Sequence, residues 1–257
     1  MNNGLGNLDN LFQSAQADGL TQDTMDLVTT NLTGQTMTNI GIPLDQLASN
    51  EVTLAMNIID MSGSMSAYAA DLILAYNDDY LAAMAGSTAA DDILVSTVLF
   101  NNDVSLFHGY VNLLDAPPLV RYVYNPGGST ALYDAVALGL TNMVVYAQHL
   151  RQMGVMVRCI AIVYSDGDDN ASKQPAIHVR RASRELMLQE IYTLAYVGFS
   201  SGGITQSTLE QLADDIGFPE TLIAGLDHSE LRRIFNMAST STVRASQQQG
   251  QVAGVFQ

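Results

Sequence analysis

The sequence from Val52 to Met65, VTLAMNIIDMSGSM, decides the fold of this chain. Its first eight residues are almost continuously apolar, which is typical of a strand buried on both faces of a parallel sheet. The apolar run ends at Asp60, and small polar residues follow it. This pattern predicts a buried parallel strand over Val52–Ile59 that delivers Asp60 to a loop at the carboxyl end of a sheet.

Apolar strand-like runs and helical patterns alternate along the chain after this strand. Such alternation predicts an α/β fold with a doubly wound, Rossmann-like, mostly parallel sheet of about six strands flanked by helices. The turn signal Asn101-Asn102-Asp103 makes Val104–His108 a predicted antiparallel edge strand. The other predicted strands are Ile93–Phe100, Val155–Tyr164, Ile191–Val197 and Thr221–Ala224. The predicted helices are Ala67–Met84, Thr130–Leu150, Gln174–Leu188, Thr205–Ile216 and Ser229–Met237.

Composition divides the chain into three predicted segments. Residues 1–50 are polar and rich in small residues, with helix-compatible patches at Leu8–Ala15 and Thr21–Asn31. We expect them to form an N-terminal extension that packs on the main domain or on a neighbouring copy. Residues 51–238 form the predicted main domain. Residues 239–257 are rich in Ser, Thr and Gln, which is typical of a flexible tail.

The charge balance limits the partners and the location of the protein. The chain has 26 acidic and 10 basic residues, a formal net charge of −16, so we expect neither nucleic acid nor a membrane surface as its partner. Lys173 is the only lysine and follows no glycine-rich loop, which excludes a P-loop nucleotide site. Cys159 is the only cysteine, and the first residues lack the pattern of a signal peptide. We therefore expect a cytoplasmic protein.

Three loops carry candidate metal ligands at the predicted carboxyl edge of the sheet. The first holds Asp60, Ser62 and Ser64, the second holds Thr130, and the third holds Asp166. Two carboxylates with three hydroxyls make an all-oxygen set that suits a hard divalent cation. We expect Mg²⁺, with Mn²⁺ or Ca²⁺ as alternatives. With only two formal negative charges around it, the ion would still attract a carboxylate from a partner.

These loops resemble those of the von Willebrand factor A family. The resemblance rests on the DxSxS pattern at Asp60–Ser64, the GGST and ALYDA stretch at Gly127–Ala135, and the apolar strand that ends in SDG at Ser165–Gly167. The order of the predicted elements agrees with that family over residues 51–237. The resemblance implies a metal-ion-dependent adhesion site in which all five candidate ligands hold the ion, some of them through water.

The resemblance also implies a function for the chain. We expect a metal-dependent protein-interaction module, not an enzyme, that binds an Asp or Glu carboxylate of a partner protein. The resemblance also implies that the last helix of the domain moves on binding. Proteins of this type often resemble co-factors of AAA+ ATPases, which makes such an ATPase the expected partner.

Two other functions stay open at this point. A self-assembling structural protein would use residues 1–50 or the tail to form a homo-oligomer, and a metal-assisted hydrolase would use the same ion for catalysis. Near the three loops, Asp134 is either a neighbour of the ligands or a surface acid, and Asp168, Asp169 and Asn170 are expected to be solvated loop residues. The four histidines have no ligand spacing, which argues against zinc.

Overall fold

The structure, a computed structural model, describes residues 8–32, 39–200, 204–225 and 227–247. Its core is one six-stranded sheet with the strand order β3-β2-β1-β4-β5-β6. All neighbouring strands are parallel except β3, which runs antiparallel to β2 at one edge. The predicted fold class is therefore confirmed. The strands are β1 (Glu51–Asp60), β2 (Ile93–Phe100), β3 (Val104–Asn112), β4 (Met156–Ser165), β5 (Tyr192–Ser200) and β6 (Glu220–Gly225).

Helices cover both faces of the sheet because the central strands are buried on both sides. In β1 the side chains of Leu54, Met56 and Ile58 face one apolar cluster, and those of Ala55 and Ile59 face the other. No helix within the described ranges is long and apolar enough to cross a membrane. The longer helices are α1 (Leu8–Ala17), α2 (Gln22–Asn31), α3 (residues 69–85), α4 (Leu132–Gln152), α5 (Ala176–Met187), α6 (Gln206–Ile216) and α7 (His228–Gln247).

Helix α3 differs from the single regular helix that the sequence predicts over Ala67–Met84. A 3₁₀ segment, Gly63–Tyr68, leads into it, and its middle, Ala75–Ala82, is π-helical. The wider π turn brings Tyr76 and Tyr80 into the core together, with their rings stacked at a centroid distance of 5.8 Å. The irregularity therefore serves aromatic packing, which the spacing of apolar residues does not reveal.

The prediction that the flexible tail begins at residue 239 is wrong, because α7 continues through this residue to Gln247. Ser239, Thr242 and Ala245 are buried in this last part of the helix. The Thr242 hydroxyl donates a hydrogen bond to the carbonyl oxygen of Ala238 at 2.9 Å, which removes the cost of burying it. Small hydroxyl side chains are thus compatible with a buried helix. The rest of the predicted tail, residues 248–257, lies outside the described residues.

The first two helices lie against α4 and α5 of the main domain. Leu11, Ala15, Met25 and Val28 are buried there in the same apolar cluster as one face of the sheet. The carboxylate of Glu185, on α5, accepts hydrogen bonds from the start of α2, including one from the Thr21 hydroxyl at 2.7 Å. This part of the N-terminal segment has too few apolar residues for a core of its own, and it instead joins the core of the main domain. Residues 1–7 and 33–38 of the predicted extension lie outside the described residues.

Candidate metal centre

The candidate ligands lie at the point where the sheet changes direction. Strands β1 and β4 are neighbours, and the chain moves outward from them to β2 and β3 on one side and to β5 and β6 on the other. The loops that leave the carboxyl ends of such a strand pair diverge and create a crevice. Asp60 is the last residue of β1, and Asp166 directly follows β4. The register of the two strands therefore brings these two acids to one place.

A chain of hydrogen bonds joins three of the predicted ligands. The hydroxyl oxygens of Ser62 and Ser64 lie 3.0 Å apart, and the Ser64 hydroxyl donates to Asp166 Oδ1 at 2.6 Å. Ser62 and Asp166 are buried, whereas Ser64 is exposed. The crevice is thus lined by converging oxygen atoms and opens to solvent at Ser64.

Asp60 is held by its neighbours on both carboxylate oxygens. Oδ1 accepts a hydrogen bond from the backbone N–H of Ser62 at 2.7 Å, and Oδ2 accepts one from the Ser165 hydroxyl at 2.5 Å. The pKa of Asp60 is raised to about 6, because burial, helped slightly by the charge of Asp166, raises it by more than the hydrogen bonds from Ser165 and Ser62 lower it. The hydrogen bonds fix the direction of the carboxylate but do not offset the loss of water around it.

Asp166 differs from Asp60 because one of its oxygens has no partner. Its side chain is fully buried, and Oδ2 accepts no hydrogen bond from any described residue. A buried carboxylate oxygen without a donor is costly, and it is rare unless an ion or water satisfies it. Asp166 Oδ2 therefore needs a partner such as an ion or a water molecule.

The spacing of the oxygens fits a small divalent cation. Mg²⁺ binds oxygens at about 2.0–2.1 Å in octahedral geometry, which places neighbouring ligand oxygens about 2.9 Å apart. The separations in the chain, 3.0 Å and 2.6 Å, are ordinary hydrogen-bond distances and are close enough to this value to admit such an ion. Across the described parts of the chain, no group of three or more His, Cys, Asp or Glu side chains could hold a metal. Any ion at this edge must therefore rely on the hydroxyls as well as on the two acids.

The second loop places Thr130 beside the third loop. Thr130 is buried, and a methyl group added at Gly167 would lie 3.4 Å from its hydroxyl oxygen. The loop is tied to the first one by the hydrogen bond from Gly63 N–H to the oxygen of Gly128 at 3.1 Å. Gly128 has a φ of +80°, and a side chain there would collide with Asn102, so only glycine fits. The structure thus brings Thr130 to the crevice, although the hydrogen-bond chain runs through the other ligands.

Asp168 is exposed as expected, but Asp169 and Asn170 are more than solvated loop residues. Asn170 Oδ1 accepts a hydrogen bond from Thr130 N–H at 2.9 Å, and Asp169 Oδ1 accepts one from Tyr133 N–H at 3.4 Å. Asp134 accepts from the backbone N–H of Gln174 at 2.7 Å, which holds the third loop from the other side. The side chain at the N-cap of α4 makes no capping bond. The third loop therefore supplies the partners for the free N–H groups at the start of α4.

The sequence pattern missed two residues that shape the crevice. Ser165 orients Asp60, and the only signal for it was its place before Asp166 in the SDG motif. Tyr124 is fully buried, and its hydroxyl donates to the backbone oxygen of Asp60 at 2.7 Å. No spacing signal in the sequence links Tyr124 to a residue so far away along the chain. Both residues act by positioning the end of β1.

No protein-family model and no curated protein matches this sequence. Solved structures do share its fold. The D319A mutant of the PilB minor pilin from Streptococcus sanguinis matches with a TM-score of 0.56 at 15% identity, over 79% of this chain and 63% of that one. The pilus adhesin SpaC from Lactobacillus rhamnosus GG matches with a TM-score of 0.58 at 11% identity, over 77% of this chain and 31% of that one.

A looser likeness, with a TM-score of 0.42 and 19% identity, covers 74% of this chain and 46% of VWA2, the ArnB paralog from Sulfolobus acidocaldarius. This chain spans just under two thirds of the PilB structure and about a third of the SpaC structure. At these identities the likeness shows the fold and not the function.

Proposed function

We propose that this chain is a von Willebrand factor A-type domain that binds a divalent cation, Mg²⁺ first, and through it a carboxylate of a partner protein. The observation that carries the proposal is the buried Asp166 Oδ2, which lacks a partner beside two converging serine hydroxyls. When bound, the ion would supply positive charge and a coordination position for an incoming carboxylate.

The residues of the chain have distinct tasks in this proposal. Asp166, Ser62 and Ser64 present oxygens directly to the crevice, and Thr130 closes it from the second loop. Asp60 contributes negative charge with both oxygens already hydrogen-bonded, so it would hold the ion through its remaining lone pairs or through a bound water. Ser165 and the N–H of Ser62 keep this carboxylate in place, which is the role of an outer shell at a metal site.

A binding role is favoured over catalysis because Asp60 and Asp166 would both serve as ligands of the ion. Both carboxylates of the crevice are committed to the ion in this proposal, and neither is left to act as a general base. The expected AAA+ ATPase partner and the cytoplasmic location remain predictions from the sequence. Two solved structures with the same fold are a minor pilin and a pilus adhesin, and the likeness to them extends to the fold alone.

Calorimetric titration of Mg²⁺ into chelator-stripped protein tests the proposal. We expect saturable binding to wild type. Asp166→Ala removes a direct ligand and should weaken binding by more than the roughly 10–100-fold that is typical of losing an outer-shell partner, whereas Ser165→Ala should fall within that range. Titrations with Mn²⁺ and Ca²⁺ would rank the ions.

Asp168→Ala is the matched control, because Asp168 is an exposed acid in the same loop. Its affinity for Mg²⁺ should stay within about threefold of wild type, as screening leaves exposed charges little influence. The proposal is wrong if wild type binds none of the three ions, or if Asp166→Ala and Asp168→Ala bind alike.

A further inference from the structure

The turn that precedes the second site loop exposes an arginine and a tyrosine that the metal centre does not use. Tyr122 is 87% exposed, the highest fraction among the exposed large hydrophobic side chains of the described residues. Arg121 is exposed as well, and it belongs to none of the ion pairs formed within the described part of the chain. We call these two residues the Arg121–Tyr122 pair.

This turn is fixed relative to the metal centre by hydrogen bonds. The Tyr124 hydroxyl donates to the backbone oxygen of Asp60 at 2.7 Å, and Gly127 N–H donates to the oxygen of Met61 at 2.9 Å. Tyr122 and Arg121 are two and three residues from the anchored Tyr124, and three residues of extended chain span at most about 11 Å, so both lie near it. The exposed side chains are therefore presented from a fixed backbone beside the crevice.

The charge of the pair stands out against the rest of the molecule. In a chain with a formal net charge of −16, an exposed arginine that forms none of the ion pairs of the described residues is a local site of attraction for carboxylates. The guanidinium group binds a carboxylate through two parallel hydrogen bonds. Arginine and tyrosine are also the side chains that most often dominate the energy of protein interfaces.

We propose that the Arg121–Tyr122 pair is the second anchor for the partner, which is an extended acidic protein segment. One carboxylate of this segment reaches the ion, a second one pairs with Arg121, and a large apolar side chain packs on Tyr122. The proposal rests on the proposed function, because the first carboxylate needs the metal site. Another copy of the chain is a weaker occupant, because two molecules that each carry a formal charge of −16 repel each other far more than the chain repels a short acidic segment.

A peptide-display selection on the full chain tests this second anchor. Random peptides are captured on immobilised protein with Mg²⁺ and released with a chelator, and the enriched sequences are synthesised. We expect enrichment of peptides with at least two acidic residues and a large apolar residue. Their affinity should fall about tenfold with Arg121→Ala and about tenfold with Tyr122→Ala, whereas both variants should bind Mg²⁺ like wild type.

Matched controls are Arg158→Ala and Leu114→Ala. Arg158 is an arginine at the opposite end of the sheet, and Leu114 is another exposed large hydrophobic residue. Peptides that bind all four variants equally well would overturn the second anchor and leave the metal-dependent function intact. A lack of Mg²⁺ binding by wild type, or of any chelator-released peptide, would overturn the proposed function and the second anchor with it.

Discussion

Strand β1 carries a carboxylate at each end, and the two ends are built differently. Glu51 at the amino end is partly exposed, lies 3.9 Å from Arg158 and is opposite Met156 of β4, which is 56% exposed. Asp60 at the carboxyl end is fully buried, hydrogen-bonded on both oxygens and close to a second buried acid. Water screens the first charge, whereas the second is kept in a crevice at a cost. Only the carboxyl end of β1 therefore carries a charge that destabilises the fold, which is the arrangement expected of a binding site.

The largest expected effect comes from removing the buried charge with Asp60→Asn. In metal-free wild type the pKa of Asp60 is about 6, against 3.8 as its ordinary value. Between these two pH values Asp60 is protonated in the native state but ionised in the unfolded chain. The stability that this protonation gives is complete below pH 3.8 and is lost as the pH rises through about 6. Between pH 4 and pH 7, wild type should lose roughly 2 kcal/mol relative to Asp60→Asn.

Urea unfolding at each pH, in the presence of a chelator, measures this difference directly. Comparing the variant with wild type cancels the titration of all other groups that the two proteins share. If the unfolding free energies of the two proteins changed equally with pH over this range, burial would not destabilise the charge of Asp60. The contrast between the two ends of β1 would then fail.

The sequence was sufficient to predict the sheet and the place of the crevice. An apolar run that ends in an acid, as at Ile59 and Asp60, marks both a buried strand and its carboxyl end, and the observed β2 has the predicted bounds. The direction of parallel strands then brings their loops to one edge. These predictions succeed because they depend on local burial patterns and on a general rule of topology.

The features that the sequence did not reveal depend on contacts between distant residues. The π-helical part of α3 is set by how Tyr76 and Tyr80 pack, and the extension of α7 is set by the burial of Ser239 and Thr242 against the rest of the core. The role of Asn170 needs the path of two loops, because its partner Thr130 is 40 residues away. Side-chain bonds to a distant backbone leave no periodic trace in a sequence.

A smaller effect should follow from Asn170→Ala, which removes the hydrogen bond between the third loop and the N–H of Thr130. The expected loss is about 1 kcal/mol of unfolding free energy, similar to the loss of a helix cap. Asp168→Ala, in the same loop but exposed, should change stability by less than about 0.5 kcal/mol. Chemical denaturation of both variants at pH 7 checks the pair. Equal losses in the two would mean that the third loop is held by other contacts.

The smallest expected effect is at the amino end of β1, with Glu51→Gln. This substitution matches Asp60→Asn in chemistry, since each replaces a carboxylate by its amide at one end of the same strand. The Glu51 side chain is 45% exposed and its separation of 3.9 Å from Arg158 is that of a weak surface pair. We expect a change of less than about 0.5 kcal/mol in the unfolding free energy at pH 7, in either direction. A loss above about 1 kcal/mol would show that the amino end also depends on a charge, and burial alone would then not explain why Asp60 responds so differently.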